Sequence, residues 1–178
     1  MKQGWHIGVV IPARNEEAHI REVLEGLPEM VDVAVVVNDG STDRTAEIVN
    51  TAAANCELLL LEGRGDGVGA SIDRGHQHLL DVFNAPFISV VVAGDGQMNP
   101  HDMDALIQPI LEGKAEHVKG NRERHSGGYN RMPKHRQRAS KILSWFTTLA
   151  AGQPIGDPQC GYTATASSVL RNWDWDHS

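Results

Sequence analysis

His6-Ile7-Gly8-Val9-Val10-Ile11, followed at once by Pro12-Ala13-Arg14-Asn15-Glu16-Glu17, is the stretch from which the fold can be read. An apolar run of strand length without polar alternation fits a strand buried on both faces. Pro12 ends the run, Asn15 reads as a helix N-cap, and Ile20, Val23 and Leu24 follow at helical spacing. The same unit then recurs. Residues 32–37 form a second strand, Ser41 or Thr42 caps a helix through about Ala54, and Leu58–Leu61 form a third strand. A glycine-rich turn at 63–69 opens a helix ending near Phe83, and residues 87–93 give the clearest strand of all. A helix over about 100–111, a short strand at 116–119, a polar loop at 121–130 and a long helix over about 134–150 complete the pattern. Strands alternating with amphipathic helices predict an α/β fold: a Rossmann-like, mostly parallel sheet with helices on both faces. Ligands in such sheets bind beyond the carboxyl ends of the strands, so the segments after each strand carry the functional reading.

The 178 residues suit one domain, with 40% hydrophobic and 22% charged residues, an ordinary globular balance. No apolar run reaches the roughly 18 residues of a membrane span, and residues 1–6 lack the apolar core of an export signal. A cytoplasmic location is therefore expected, with Cys56 and Cys160 as free thiols and the nine histidines as surface or capping residues. The net charge of −7 is unevenly spread. Residues 119–141 hold eight of the sixteen Lys and Arg against Glu123 alone, a net +7 that leaves −14 elsewhere. One basic segment in an acidic chain points to a small anion or an anionic membrane surface rather than to nucleic acid.

Three post-strand segments stand out: Pro12-Ala13-Arg14-Asn15-Glu16-Glu17, Asn38-Asp39-Gly40-Ser41-Thr42-Asp43-Arg44-Thr45 and Ala93-Gly94-Asp95-Gly96-Gln97-Met98-Asn99-Pro100. Singly, each also reads as a turn or a cap, and Asp95 with Gln97 reads equally as an Asx-turn and its neighbour. Together and in this order they resemble the family 2 glycosyltransferases of the GT-A fold, and among them the polyprenyl-phosphate and dolichyl-phosphate sugar synthases. The resemblance covers nearly the whole chain. It implies a single catalytic domain over residues 1–178, here C-terminally incomplete, that binds a nucleoside-diphosphate sugar. Pro12, Ala13, Arg14 and Glu16 would line the nucleotide pocket and Asp39 would contact the base. Gly67 lies in the turn Gly65-Asp66-Gly67-Val68-Gly69-Ala70, whose N–H groups could meet an anion.

Asp95 and Gln97 match metal-ligand positions, and oxygen donors on an irregular loop suit Mg²⁺ or Mn²⁺. The family usually has a further Asp where this chain has Ala93. Arg122 matches the arginine beside the diphosphate, and Arg136 or Arg138 matches a basic residue that meets donor or acceptor phosphates. Asp157, in Asp157-Pro158-Gln159-Cys160-Gly161-Tyr162, resembles the segment beside the acceptor. Catalytic roles thus fall to Asp95, Arg122 and Asp157. The expected reaction is an inverting, metal-assisted transfer to a polyprenyl phosphate at the cytoplasmic face of a membrane. The rival readings are transfer to a saccharide or protein hydroxyl with Asp157 as base, a sugar nucleotidyltransferase, and a non-catalytic nucleotide-binding module.

Overall fold

The computed structural model describes residues 1–121, 157 and 160–175. The chain forms two compact units, residues 1–118 with 162–178 and residues 119–161. The loop expected at 121–130, apart from Asn121, and the helix expected at 134–150 lie outside the described residues.

Six strands form one sheet: β1 (His6–Ala13), β2 (Val33–Asn38), β3 (Glu57–Glu62), β4 (Phe87–Val91), β5 (His117–Lys119) and β6 (Thr163–Ala166). Their spatial order is β3-β2-β1-β4-β6-β5. The helices are α1 (Ile20–Glu25), α2 (Thr45–Thr51), α3 (Val68–Val82), α4 (Met103–Leu111) and α5 (Ser167–Arg171). β1 pairs in parallel with β2 and β4, and β2 with β3, whereas β6 runs antiparallel to β4. The sheet is therefore mixed but mostly parallel, as expected. β6 and α5 are additions that the sequence reading did not contain.

The unbroken apolar runs have the predicted cause. Val10, Val33, Val35, Val37, Phe87 and Val91 share one face and pack with Leu79 and Phe83 at the α3 end and Leu170 of α5. Residues of the opposite phase, Val9, Ile11, Ala34, Val36, Ile88 and Val90, are also fully buried, on the face covered by α1, α2 and α4. Burying one such side chain is worth about 1.5–3 kcal/mol. α3 approaches β1 closely because Gly75 has no side chain: a Cβ there would lie 2.3 Å from Cγ1 of Val10.

Pro12 does not stop β1, which continues to Ala13. The carbonyls of Val10 and Pro12 accept from Val92 and Gly94, so both residues point their polar groups toward β4. β4 has already ended at Val91. The N–H that proline lacks would thus lie on the side of the irregular segment that follows β4, and the β2 side of the ladder loses nothing. Three other expectations shift. α1 begins at Ile20 rather than after Asn15, α2 begins at Thr45 without a side-chain cap from Ser41 or Thr42 and ends at Thr51, and residues 100–102 form a 3-10 turn ahead of α4.

Candidate functional site

The carboxyl ends of β1, β2 and β4 and the amino end of α3 surround a cavity of about 320 Å³. It is lined by Pro12, Ala13, Arg14 and Glu16 after β1, Asp39 after β2, Gly67, Val68 and Ser71 at α3, and Ala93, Gly94 and Asp95 after β4. All seven donor-site candidates that fall on described residues therefore converge on one pocket. Val68, Ser71 and Gly94 were not foreseen. Ser71 shared a helical face with Gly75 and Leu79, a signal available in the sequence. Where β1 is flanked by β2 on one side and β4 on the other, the strand order reverses, and a crevice opens at that point in open α/β sheets.

Asp39 is buried, 4% exposed, and holds the glycine-rich turn. Its Oδ1 accepts from the Gly65 N–H at 2.9 Å and its Oδ2 from the Gly67 N–H at 2.9 Å. Gly67 sits at φ 97°, a conformation that favours glycine. The expectation of a turn with free N–H groups is thus corrected: Asp39 already takes those of Gly65 and Gly67. Anion-binding capacity moves to the first turn of α3, whose leading N–H groups have no intrahelical acceptor.

The segments after β1 and β2 are laced together. The Asn15 N–H donates to Ser41 Oγ (3.0 Å), the Glu16 N–H to Thr45 Oγ1 (2.8 Å) and the Glu17 N–H to Asp43 Oδ2 (3.1 Å). In return, Thr42 donates from its N–H to Asn15 Oδ1 (2.8 Å), and the Arg44 N–H to Glu17 Oε2 (3.1 Å). Asn15 adopts φ 57° to do this. The residues expected to cap two separate helices instead join two loops.

Asp95 lines the pocket and closes an Asx-turn, its Oδ1 accepting from the Gln97 N–H at 3.0 Å. The Ala93 N–H donates to the Met98 sulfur at 3.3 Å, closing the same loop from behind. Gln97 is exposed and does not line the cavity. Burial raises the proton affinity of Glu16, and the nearby Asp95 carboxylate raises it further. Among the described residues no three His, Cys, Asp or Glu side chains converge as a metal cage. A single carboxylate with an amide suits a cation of the Mg²⁺ or Mn²⁺ type, which completes its shell with water and substrate phosphates.

Arg122, Arg136 and Arg138 lie outside the described residues. Asp157 is buried, and its carbonyl accepts from the Cys160 N–H. His76 departs from the expectation of surface histidines: it is 8% exposed on α3. Burial first, and then His117, lower its pKa from 6.5 to about 4.

A model of glycosyl transferase family 2 matches residues 8–177. The chain belongs to glycosyl transferase family 2. One member, the UDP-N-acetylglucosamine–dolichyl-phosphate N-acetylglucosaminyltransferase of Methanococcus voltae, is 29% identical over 180 residues, covering 93% of this chain and 71% of the relative. The undecaprenyl-phosphate 4-deoxy-4-formamido-L-arabinose transferase of Edwardsiella ictaluri is 25% identical over 174 residues, 93% of this chain and 50% of the relative. The solved glucosyl-3-phosphoglycerate synthase of Mycobacterium tuberculosis, in complex with Mn²⁺, uridine diphosphate and glucosyl-3-phosphoglycerate, matches with a TM-score of 0.69 at 22% identity. That match covers 94% of this family 2 chain and 59% of the synthase chain, and it shows a common GT-A fold. Among the described residues no helix is long and apolar enough to cross a membrane.

Proposed function

We propose that this family 2 chain forms a glycosyltransferase catalytic domain that transfers a sugar from a nucleoside-diphosphate sugar to a polyprenyl phosphate at the cytoplasmic face of a membrane. The observation that carries the donor half is the convergence of Pro12, Ala13, Arg14, Glu16, Asp39, Gly67 and Asp95 on one cavity. The named lipid-phosphate transferases among the relatives support the acceptor half.

Each residue then has a physical task. Asp39, carrying two N–H bonds on four lone-pair positions, keeps acceptor capacity for a base edge while fixing the turn beneath it. The first turn of α3 presents backbone donors to phosphate. Asp95, with Gln97, would hold a divalent cation, which when bound supplies positive charge to the departing diphosphate. Arg122 would add a bidentate donor to the same diphosphate, and Arg136 or Arg138 would meet the acceptor phosphate. A phosphate oxygen is already anionic at neutral pH and attacks the anomeric carbon in line, with inversion, needing no base. Positioning and electrostatic stabilisation then carry the rate. A second reading, transfer to a hydroxyl, is favoured by the burial of Asp157, since a general base works best shielded from water.

The test is a thermal-shift series with UDP and GDP, each with and without Mn²⁺, on wild type and Asp95→Ala. One nucleotide should raise the wild-type Tm in the presence of Mn²⁺, by a free energy of about 2.7 kcal/mol at a hundred times Kd. Asp95→Ala should lose the metal-dependent part. A wild-type chain that responds to neither nucleotide refutes the donor site. Transfer to a saccharide hydroxyl but not to polyprenyl phosphate would select the second reading.

A further inference from the structure

The pocket has two walls whose separation is fixed by side chains that never enter it. Arg14 and Glu16 line the cavity on one side and Asp39 on the other. Between their loops run the bonds of Asn15, Glu17, Ser41, Thr42, Asp43 and Thr45. Thr45 is the hub. It is fully buried, its Oγ1 accepts from the Glu16 N–H, and the same hydroxyl donates to Asp43 Oδ1. Asp43 also accepts from the Thr45 N–H at 3.0 Å and, through its other oxygen, from the Glu17 N–H. Ahead of this lacing the β1–β2 ladder ends at the pair Ala13 and Asn38, with one further bond from the Asp39 N–H to the Ala13 carbonyl. Past that point, neither loop has regular secondary structure to hold it beside the other.

We infer that Thr45, with Asp43 and Asn15, is a positioning residue: it clamps the segment bearing Arg14 and Glu16 to the segment bearing Asp39 at the spacing a nucleoside diphosphate requires. The inference rests on the donor-site reading above and deepens it. Without the Thr45 hydroxyl, the half-buried Glu16 N–H loses its acceptor and Asp43 Oδ1 keeps only the Thr45 N–H, and the cheapest relief is for the loops to part and admit water. Parting displaces Arg14 and Glu16 from Asp39. A displacement of about 1 Å in positioning groups weakens function far more than it weakens the fold.

The experiment measures Kd for UDP and GDP with Mn²⁺ by calorimetry, and the nucleotide-free Tm, for wild type, Thr45→Val, Thr45→Ser, Ser41→Ala and Ile107→Val. Thr45→Val keeps the shape and removes the hydroxyl, and Thr45→Ser restores it. Ile107→Val is a core change on α4, away from the clamp. Thr45→Val should weaken the nucleotide that wild type binds by about tenfold, with Thr45→Ser within about twofold of wild type. Ile107→Val should lower Tm and leave Kd unchanged. Wild-type affinity in folded Thr45→Val overturns the inference, as does an equal loss of affinity in Ile107→Val. Should Thr45→Val not fold, the half-buried Ser41→Ala decides: weaker binding supports the clamp and unchanged binding overturns it. Wild-type protein that binds neither nucleotide overturns the donor-site reading itself and the clamp with it, whereas binding that ignores the clamp variants overturns the clamp alone.

Discussion

His76 gives the fold a measurable sensitivity to acid. Its ring is 8% exposed, its Nε2 has no hydrogen-bond partner among the described residues, and Trp175 lies against it with ring centroids 6.2 Å apart. Burial, and secondarily His117, depress its pKa from 6.5 to about 4. The unfolded chain takes up this proton near 6.5 and the folded chain only near 4. Between those values the unfolded state binds more protons, so stability falls as pH falls. The contribution is intact above pH 6.5 and is lost progressively through pH 4, by about 3 kcal/mol in total. His76→Leu preserves an apolar fit and removes the titration. Urea unfolding of both proteins, followed by circular dichroism from pH 7 to pH 4.5, isolates the effect, because every other titrating group is common to the two. The stability of His76→Leu relative to wild type should rise by about 2.5 kcal/mol across that range. Parallel profiles would refute the reasoning, since they would mean that the ring takes its proton in the folded state as readily as in water.

Three further outcomes are expected. Gly75→Ala, whose Cβ would lie 2.3 Å from Val10 Cγ1, should lose about 1–3 kcal/mol or more in chemical denaturation, with part recovered when Val10→Ala is added. Asp39→Asn replaces one of the two oxygens that hold Gly65 and Gly67; ligand-free stability should fall by about 1–3 kcal/mol, and amide exchange should quicken at both glycines. Glu16→Gln removes a carboxylate whose pKa is raised by burial and by Asp95 above the ordinary 4.5. The cost of ionising that group is present above the raised value and absent below the ordinary one. The Gln variant should therefore melt higher than wild type at pH 7 and match it near pH 4.

The sheet was legible because a strand buried on both faces has no freedom to be polar, so β1, β2 and β4 announce themselves as apolar runs. The pocket was legible for a related reason: residues with no part in the core stand directly after those runs. What escaped the sequence was long-range polar bonding. Asn15, Ser41, Thr42 and Asp43 are the residue types that cap helices, and nothing local tells a cap from a bond made 26 or 27 residues away. Asp39 poses the same problem, because its partners Gly65 and Gly67 look free until the turn is seen folded against it. His76 reads with the other scattered histidines as a surface or capping residue, although its helical phase follows Ile72 and precedes Leu79 and Leu80. β6 was missed because Thr163-Ala164-Thr165-Ala166 carries little apolar weight, and its place beside β4 is set by a partner more than seventy residues earlier.

That placement has a consequence for how the molecule is made. β6 is inserted between β4 and β5, though it follows both in the chain. On a ribosome, β1 to β4 can assemble as soon as they emerge, but β4 then presents a raw hydrogen-bonding flank of apolar residues, a template for any other extended chain. Synthesis at about 5–20 residues per second leaves that flank uncovered for roughly 4–15 s before Thr163 appears. The nascent sheet is thus at its most adhesive in the interval when its pocket-bearing half is already built. Aggregation during expression should depend on how soon residues 163–166 are delivered, more than on the stability of the finished fold.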